Sequence, residues 1–339
     1  MKKGILFLLV AVCVAGVGIY YFTADQNQYQ NPVFEPVLAD PSIVKGEDYF
    51  YAYGTEDAWG EDSDTKLVPI VRSKNLTDWE YAGEAFTKKP SWKGAGSIWA
   101  PDVTKYKGKY FLFYALSIWG DSNPGIGVAT AEHPEGPFKD KGKLFDSEEI
   151  GVSNSIDPFF YQQDDHPYVF WGSFHGIYGV ELGEDALGVK GEPFQVAGDA
   201  YEAPYIIKRN DYYYLFVSEG SCCEGADSTY KVAVGRSKEL KGPYLDQNGK
   251  KLLDNGGTVI LEGKAEGKFA GPGHNAIVAD DKGQDWIVYH AIVKEDPVLW
   301  TGASKRPLMI DPIAWSDGWP VINDGYPSEQ EQPGPSVKH

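Results

Sequence analysis

The sequence predicts an all-β fold, a five-bladed β-propeller whose functional residues surround the central channel. Three observations predict it. Runs of one design recur five times, led by Asp40, Ala100, Asp157, Ala203 and His274, and each passes from Pro or Asn through an extended apolar stretch and a polar turn into an aromatic-rich strand. Aligned on Pro41, Pro101, Pro158, Pro204 and Asn275, the runs are 60, 57, 46 and 71 residues apart. A strand-turn-strand unit repeated at such a period cannot bury both faces alone and must stack with its neighbours. Finally, no amphipathic helix of real length is legible between Gln30 and Asn323.

The elements follow in chain order. Lys2 and Lys3 precede an uncharged stretch from Gly4 to Phe22, which reads as an export signal within residues 1–25. Its length also approaches the roughly 20 apolar residues that span a bilayer, so an uncleaved N-terminal anchor is the alternative. A lipoprotein site at Cys13 is weaker, because Val12 is bulky where a small residue should precede the cysteine. Residues 26–323 carry the five repeats, A-D-P-S-I-V at Asp40, W-A-P-D-V-T at Trp99, I-D-P-F-F-Y at Asp157, E-A-P-Y-I-I at Glu202 and G-H-N-A-I-V at His274. The segments from Trp59 to Asp64 and Trp119 to Asn123 read as loops at the rim of one face, where binding residues concentrate. Cys222 and Cys223 are adjacent, and an exported chain permits a disulfide between them. Residues 324–339 form a polar, Pro-rich tail expected to be poorly ordered.

Composition narrows the function. The formal charge is −18, which argues against nucleic acid or an anionic membrane surface as partner and is compatible with a neutral substrate. A monomer is expected, with membrane contact only through the N-terminus.

In a propeller, equivalent residues of each blade converge on one axis. Asp40 and Asp157 share one register, immediately before the repeat proline, and Glu202 stands one position earlier. Carboxylates facing one cavity are the recurring device of glycosidic bond hydrolysis: a protonated one serves the leaving oxygen, and an ionised one activates water or attacks. A lone Asp-Pro would only start a strand; two in register beside a Glu point to chemistry. Asp102, after its proline, reads as a structural residue holding a turn. His274 occupies the mouth of the fifth repeat, as a structural histidine or a ligand. No second His or Cys stands at ligand spacing, which leaves a hydrated hard cation as the metal option. Trp99 is placed to stack on a sugar ring or to pack between blades.

These residues resemble glycoside hydrolase family 43, and the resemblance runs from about Asn31 to Pro320. It implies an inverting mechanism: Asp40 as general base, Glu202 as general acid and Asp157 as the residue that tunes the acid, with base and acid roughly 6.5–9.5 Å apart. The runs S-C-C-E-G-A-D-S-T-Y-K-V-A-V-G-R-S from Ser221, W-G-S-F-H-G-I-Y from Trp171 and R-P-L-M-I-D-P-I-A-W from Arg306 are similar to the arabinan-degrading branch. That branch implies α-1,5-linked L-arabinofuranose as substrate, contacts from Trp99, Asn154, Ser173 and Phe174, and a calcium ion in the channel near His274. Ala39 departs from the His that usually precedes the base in endo-acting members, and an acidic insert at Trp59–Asp64 would wall one end of the groove. Exo-acting arabinofuranosidase or β-xylosidase activity is therefore the alternative, and a non-catalytic glycan-binding propeller a further one.

Overall fold

A computed structural model describes residues 28–60 and 65–337. The export segment, Cys13 and the acidic residues 61–64 lie outside the described residues. Five four-stranded antiparallel sheets form the blades. Their innermost strands are Ser42–Lys45, Ser97–Tyr106, Phe159–Gln163, Tyr201–Arg209 and Phe269–Ala279. Each innermost strand neighbours the next, and the fifth neighbours the first, so the ring is closed. The predicted five-bladed β-propeller is the observed fold. Its one α-helix among the described residues, Ser147–Ile150, is a single turn closed by an Asp146–Glu149 capping box.

The second strand of every blade carries the aromatic run that marked the repeats, as in Lys109–Ser117 (KYFLFYALS) and Tyr212–Glu219 (YYYLFVSE). These strands are buried on both faces, because each lies mid-sheet and packs against a neighbouring blade on either side. Five apolar clusters fill the five seams. Tyr53, Leu112 and Phe138 fill that between blades one and two, Phe113, Phe160 and Trp171 the next, and Phe170, Tyr201 and Leu215 the third. Phe216, Tyr289 and Trp319 close the fourth and Phe50, Trp286 and Ile310 the last. Burying each such side chain stabilises the ring by roughly 1.5–3 kcal/mol.

Chain ends close the ring. Gln28–Tyr29 pairs with Gln332–Pro333, and the buried Asp311 of blade five accepts hydrogen bonds from Tyr29, Tyr289 and Asn323. The tail expected to be poorly ordered is instead tied down: Ser336 donates its backbone N–H to Asp280, Glu329 accepts from the backbone of Lys268, and Val337 packs on the last seam. Its polar composition hid this, because backbone and carboxylate bonds hold it rather than an apolar stripe. Among the described residues no helix is long and apolar enough to cross a membrane.

At the channel mouth the five leading residues share one backbone conformation. Asp40, Ala100, Asp157, Ala203 and His274 have φ of 54°, 46°, 58°, 53° and 49°, all left-handed. In blades two, four and five this coincides with a break in ladder register, between Trp99 and Asp102, Glu202 and Tyr205, and Gly273 and Ala276. A bulge of this kind kinks a strand and re-aims its side chains. The sequence register of the repeats is thus a register of left-handed backbone, set in a bulge in three of the five blades.

Just below the mouth, Asp102 is buried as a cross-blade tie. It accepts from the Ser42 hydroxyl (3.2 Å) in blade one and the Phe160 N–H (2.7 Å) in blade three, while Ser42 Oγ accepts from Val103 N. Burial pushes its carboxyl up to about 7, against the donors that favour ionisation. Because the folded form holds a proton that the unfolded chain releases near pH 4, Asp102 favours folding most at low pH, and this contribution is lost as pH rises through 7. Asp102→Asn is therefore expected to flatten the fall in stability between pH 4.5 and 7.5 relative to the unsubstituted protein, measured by urea denaturation at both values.

Candidate active site

Three carboxylates sequence reasoning brought together, Asp40, Asp157 and Glu202, are buried at one mouth of the channel. Asp40 has the richest surroundings. Its Oδ1 accepts from Arg306 Nη1 (2.8 Å) and its Oδ2 from the Thr55 hydroxyl (2.5 Å), while its backbone N–H donates to His290 Nδ1 (3.0 Å). Thr55 Oγ1 in turn accepts from Ala100 N (2.8 Å), so its hydrogen is left to point at Asp40. His274 Nδ1 stands 3.4 Å from Asp40 Oδ1. Burial alone would raise the Asp40 carboxyl; the Arg306 guanidinium and the Thr55 hydroxyl outweigh it and hold it well below the usual carboxylate range. Burial also depresses His274 and, much further, His290, which leaves both imidazoles neutral at neutral pH and Arg306 as the cation beside Asp40.

Glu202 sits in the opposite regime. It lies on the innermost strand of blade four, where it pairs with Ser218 and bridges to Ser173 of blade three. Its Oε1 accepts from the Tyr230 hydroxyl (2.5 Å) and its Oε2 from Ser173 Oγ (2.7 Å). Burial raises Glu202 above its ordinary value despite those two donors, and the negative Asp40 adds to the rise. Asp157, held by the Ala203 N–H, is pushed well above its ordinary value by burial, then by Glu202 and Asp40. Two carboxyls this deep and this close do not both ionise, so the Glu202–Asp157 pair keeps a proton at neutral pH. One carboxylate is ionised and another protonated across one cavity, the division that acid–base catalysis needs.

The remaining expected residues divide. Ser173 reaches Glu202 rather than open space, and Asn154 donates to the Ser173 carbonyl (3.0 Å), so both stand behind the acid. Phe174, at φ 54° and 41% exposed, presents its ring at the mouth. Trp99 is half-buried and belongs to none of the seam clusters, which favours the sugar-stacking reading over the packing one. Of the two rim loops, the second presents Trp119 at 83% exposure. Trp59 packs against Phe34 (5.3 Å) and Tyr81 (5.4 Å), and the acidic part of its loop lies outside the described residues. The Cys222–Cys223 disulfide is present, in the loop that leads into Tyr230.

Sequence reasoning passed over Thr55, Tyr230, His290 and Arg306 as site residues. Hairpin register was the available signal for the first: Ser42 pairs with Tyr53, which carries Thr55 opposite Asp40. Arg306 was visible only as the head of a motif, since nothing local marks a loop arginine as the counter-charge of a residue 266 positions away.

Among the described residues no three His, Cys, Asp or Glu side chains are grouped to hold a metal directly. Both amide atoms of Asn275 and the Nε2 of His290 are, however, buried without a protein partner, on the strand pair that carries His274. Unpaired buried polar atoms of this kind fit a hydrated cation held largely through water.

Comparison with known proteins agrees with this geometry. The family model described as Glycosyl hydrolases family 43 matches residues 29–320. The extracellular endo-alpha-(1->5)-L-arabinanase 1 of Bacillus subtilis is 35% identical over 298 residues, covering 84% of this chain and 87% of that protein. The extracellular exo-alpha-(1->5)-L-arabinofuranosidase ArbA of Cellvibrio japonicus is 32% identical and covers 84% and 86%. Among solved structures, the Cellvibrio cellulosa alpha-L-arabinanase complexed with arabinohexaose superposes with a TM-score of 0.75 at 29% identity, covering 87% of this chain and 99% of that one. With its fold, its paired carboxylates and a match across nearly the whole propeller in agreement, the chain belongs to glycosyl hydrolases family 43.

Proposed function

We propose that the protein is an exported, inverting endo-arabinanase that hydrolyses α-1,5-linked L-arabinofuranose in arabinan. One observation carries the catalytic reading: Asp40 is held ionised by Arg306 while burial keeps a proton on the Glu202–Asp157 pair beside it. Asp40 takes a proton from water as the water oxygen attacks the anomeric carbon. The bond from that carbon to the leaving sugar breaks, and Glu202 gives its proton to the leaving oxygen. One water is added across the bond, and solvent exchange restores both carboxyls. Asp157, beside Glu202, shares the proton of the pair, since burial and mutual repulsion keep the two carboxyls from ionising together. Trp99, Phe174 and Trp119 supply aromatic faces for successive sugar rings.

A bound calcium ion would be held by His274, with Asn275 and His290 reached through water, and would add positive charge to the channel. Export is supported by the N-terminal Lys2-Lys3 and apolar segment, and by two relatives named as extracellular. Retention at the cell surface would rest on that segment alone.

The exo reading retains in its favour Ala39 ahead of the base and the ArbA relative named as exo-acting. Chromatography of products from linear arabinan over time separates the two. Mixed oligosaccharides at the earliest points are expected; arabinose alone from the start would move the enzyme to the exo class. Silence on every arabinan and aryl glycoside would favour a binding module.

A further inference from the structure

Tyr230 is a buried hydroxyl that the acid–base cycle above does not use. Its surroundings fix the direction of every hydrogen bond it makes. Ser218 Oγ accepts from the His274 backbone N–H (2.9 Å), so the serine hydrogen is free to donate onward. Its partner is the Tyr230 hydroxyl, and Tyr230 then has one place for its own hydrogen, Glu202 Oε1 at 2.5 Å. The chain therefore runs one way, from the backbone of blade five through Ser218 and Tyr230 to the carboxyl in blade four. Were Glu202 to carry its proton on Oε1, the tyrosine oxygen would have to accept twice and its own hydrogen would lose its acceptor. Oε1 is thus an acceptor whether Glu202 is protonated or not, whereas Ser173 Oγ makes no other hydrogen bond among the described residues and can turn its hydrogen away, which leaves Oε2 as the oxygen able to carry the proton.

The tyrosine is itself held on two sides. Its ring stacks on His290 at 5.8 Å with planes 9° apart. A Cβ on Gly273 would come within 2.1 Å of Tyr230 Cδ1, so that position of the G-P-G-H-N run has to be glycine for the ring to lie against the mouth strand. Thr229 and Tyr230 further anchor the loop that carries Cys222–Cys223, through Thr229 Oγ1 to Ser221 N and Tyr230 N to Ser221 O.

We propose that Tyr230 is a positioning residue for the general acid, and that the directed chain His274 N–H, Ser218, Tyr230 fixes Glu202 with Oε2 as its proton-donating oxygen. This rests on the assignment of Glu202 as the acid. Tyr230 donates to the ionised form of Glu202 and so also limits how far burial raises it. The other groups facing Glu202 are Asp157, Asp40 and Arg306, each from a different blade or loop, and none is altered by a change at Tyr230.

The test is the pH dependence of kcat/KM on a linear α-1,5-arabino-oligosaccharide for Tyr230→Phe and Ser218→Ala, with Glu202→Gln alongside. Loss of the phenol hydroxyl is expected to move the alkaline limb, which reports protonation of the acid, upward by about one to two pH units, the size of a lost charge-assisted hydrogen bond. Misplacement of the donating oxygen is expected to lower kcat at the optimum by roughly 10- to 100-fold, with KM changed by less than about threefold. Ser218→Ala is expected to shift the limb in the same direction by less, and serves alone should Tyr230→Phe fold poorly. An alkaline limb that stays put in both variants, with Glu202→Gln inactive, would overturn the positioning role and leave the acid assignment standing. Retained turnover in Glu202→Gln would overturn the acid assignment, and the relay with it.

Discussion

Asp40→Asn is expected to lower kcat on linear arabinan by roughly 10²- to 10⁴-fold, the usual contribution of a general base, with KM within a few-fold of the unsubstituted enzyme. The reasoning is local. Asparagine keeps the shape of aspartate, so Thr55 can still donate to the side-chain oxygen and the backbone N–H still meets His290. What disappears is the basic oxygen that receives the water proton. With substrate rings held on the aromatic faces, as proposed, ground-state binding should survive, and the loss should fall on kcat. Steady-state kinetics with reducing-end detection measures both constants. A variant that lost affinity while retaining kcat would place the base elsewhere.

Arg306→Met should be the most destabilising change in the site, by about 3–5 kcal/mol, because it leaves the buried Asp40 carboxylate without its counter-charge. Both side chains are close to fully buried, so solvent screening does little to relieve the loss. The sign with pH follows from Asp40. Its folded pKa is depressed, so its contribution to stability is present above the ordinary aspartate value near 4 and is lost as pH falls below it. Arg306→Met should therefore cost most at neutral pH and least in acid, as read from urea denaturation at pH 7 and pH 4. The acid limb of the activity profile should also move upward, since Asp40 would ionise less readily. Adding Asp40→Asn to Arg306→Met removes the stranded charge and should recover most of the lost stability with no recovery of activity. A double variant no more stable than Arg306→Met would mean that Arg306 matters for packing rather than for charge.

The parts of this site that were legible in the sequence are those that the repeat writes five times. Asp40, Asp157 and His274 were recognisable because they occupy one register, and the structure returns that register as a shared left-handed backbone. Glu202 stood out beside it, one residue out of phase. Thr55, Tyr230 and Arg306 belong to loops that differ from blade to blade, and no periodicity reports on them. Their roles depend on which loop hydroxyl or guanidinium reaches across a seam, a property of inter-blade distance rather than of spacing along the chain. The C-terminal tail was missed for a related reason. Its anchors are single polar bonds to Asp280 and Lys268 and one short strand pair, none of which leaves an apolar pattern.

The five left-handed positions have a consequence for how such an enzyme can change. Holding a non-glycine residue there costs on the order of 1–2 kcal/mol, and β-branched side chains are the worst tolerated. Five equivalent sockets thus surround the channel, each restricted by its backbone to a short alphabet that includes Asp, Asn, His, Ala and Gly. This chain fills three sockets with polar or titratable groups and leaves alanine in the other two, Ala100 and Ala203. New chemistry could enter at either alanine without rebuilding a blade, because the backbone already aims that position at the mouth. Diversification on this scaffold is in that sense a matter of relabelling a fixed ring, provided that a charged letter in a buried socket brings its counter-charge, as Asp40 does with Arg306.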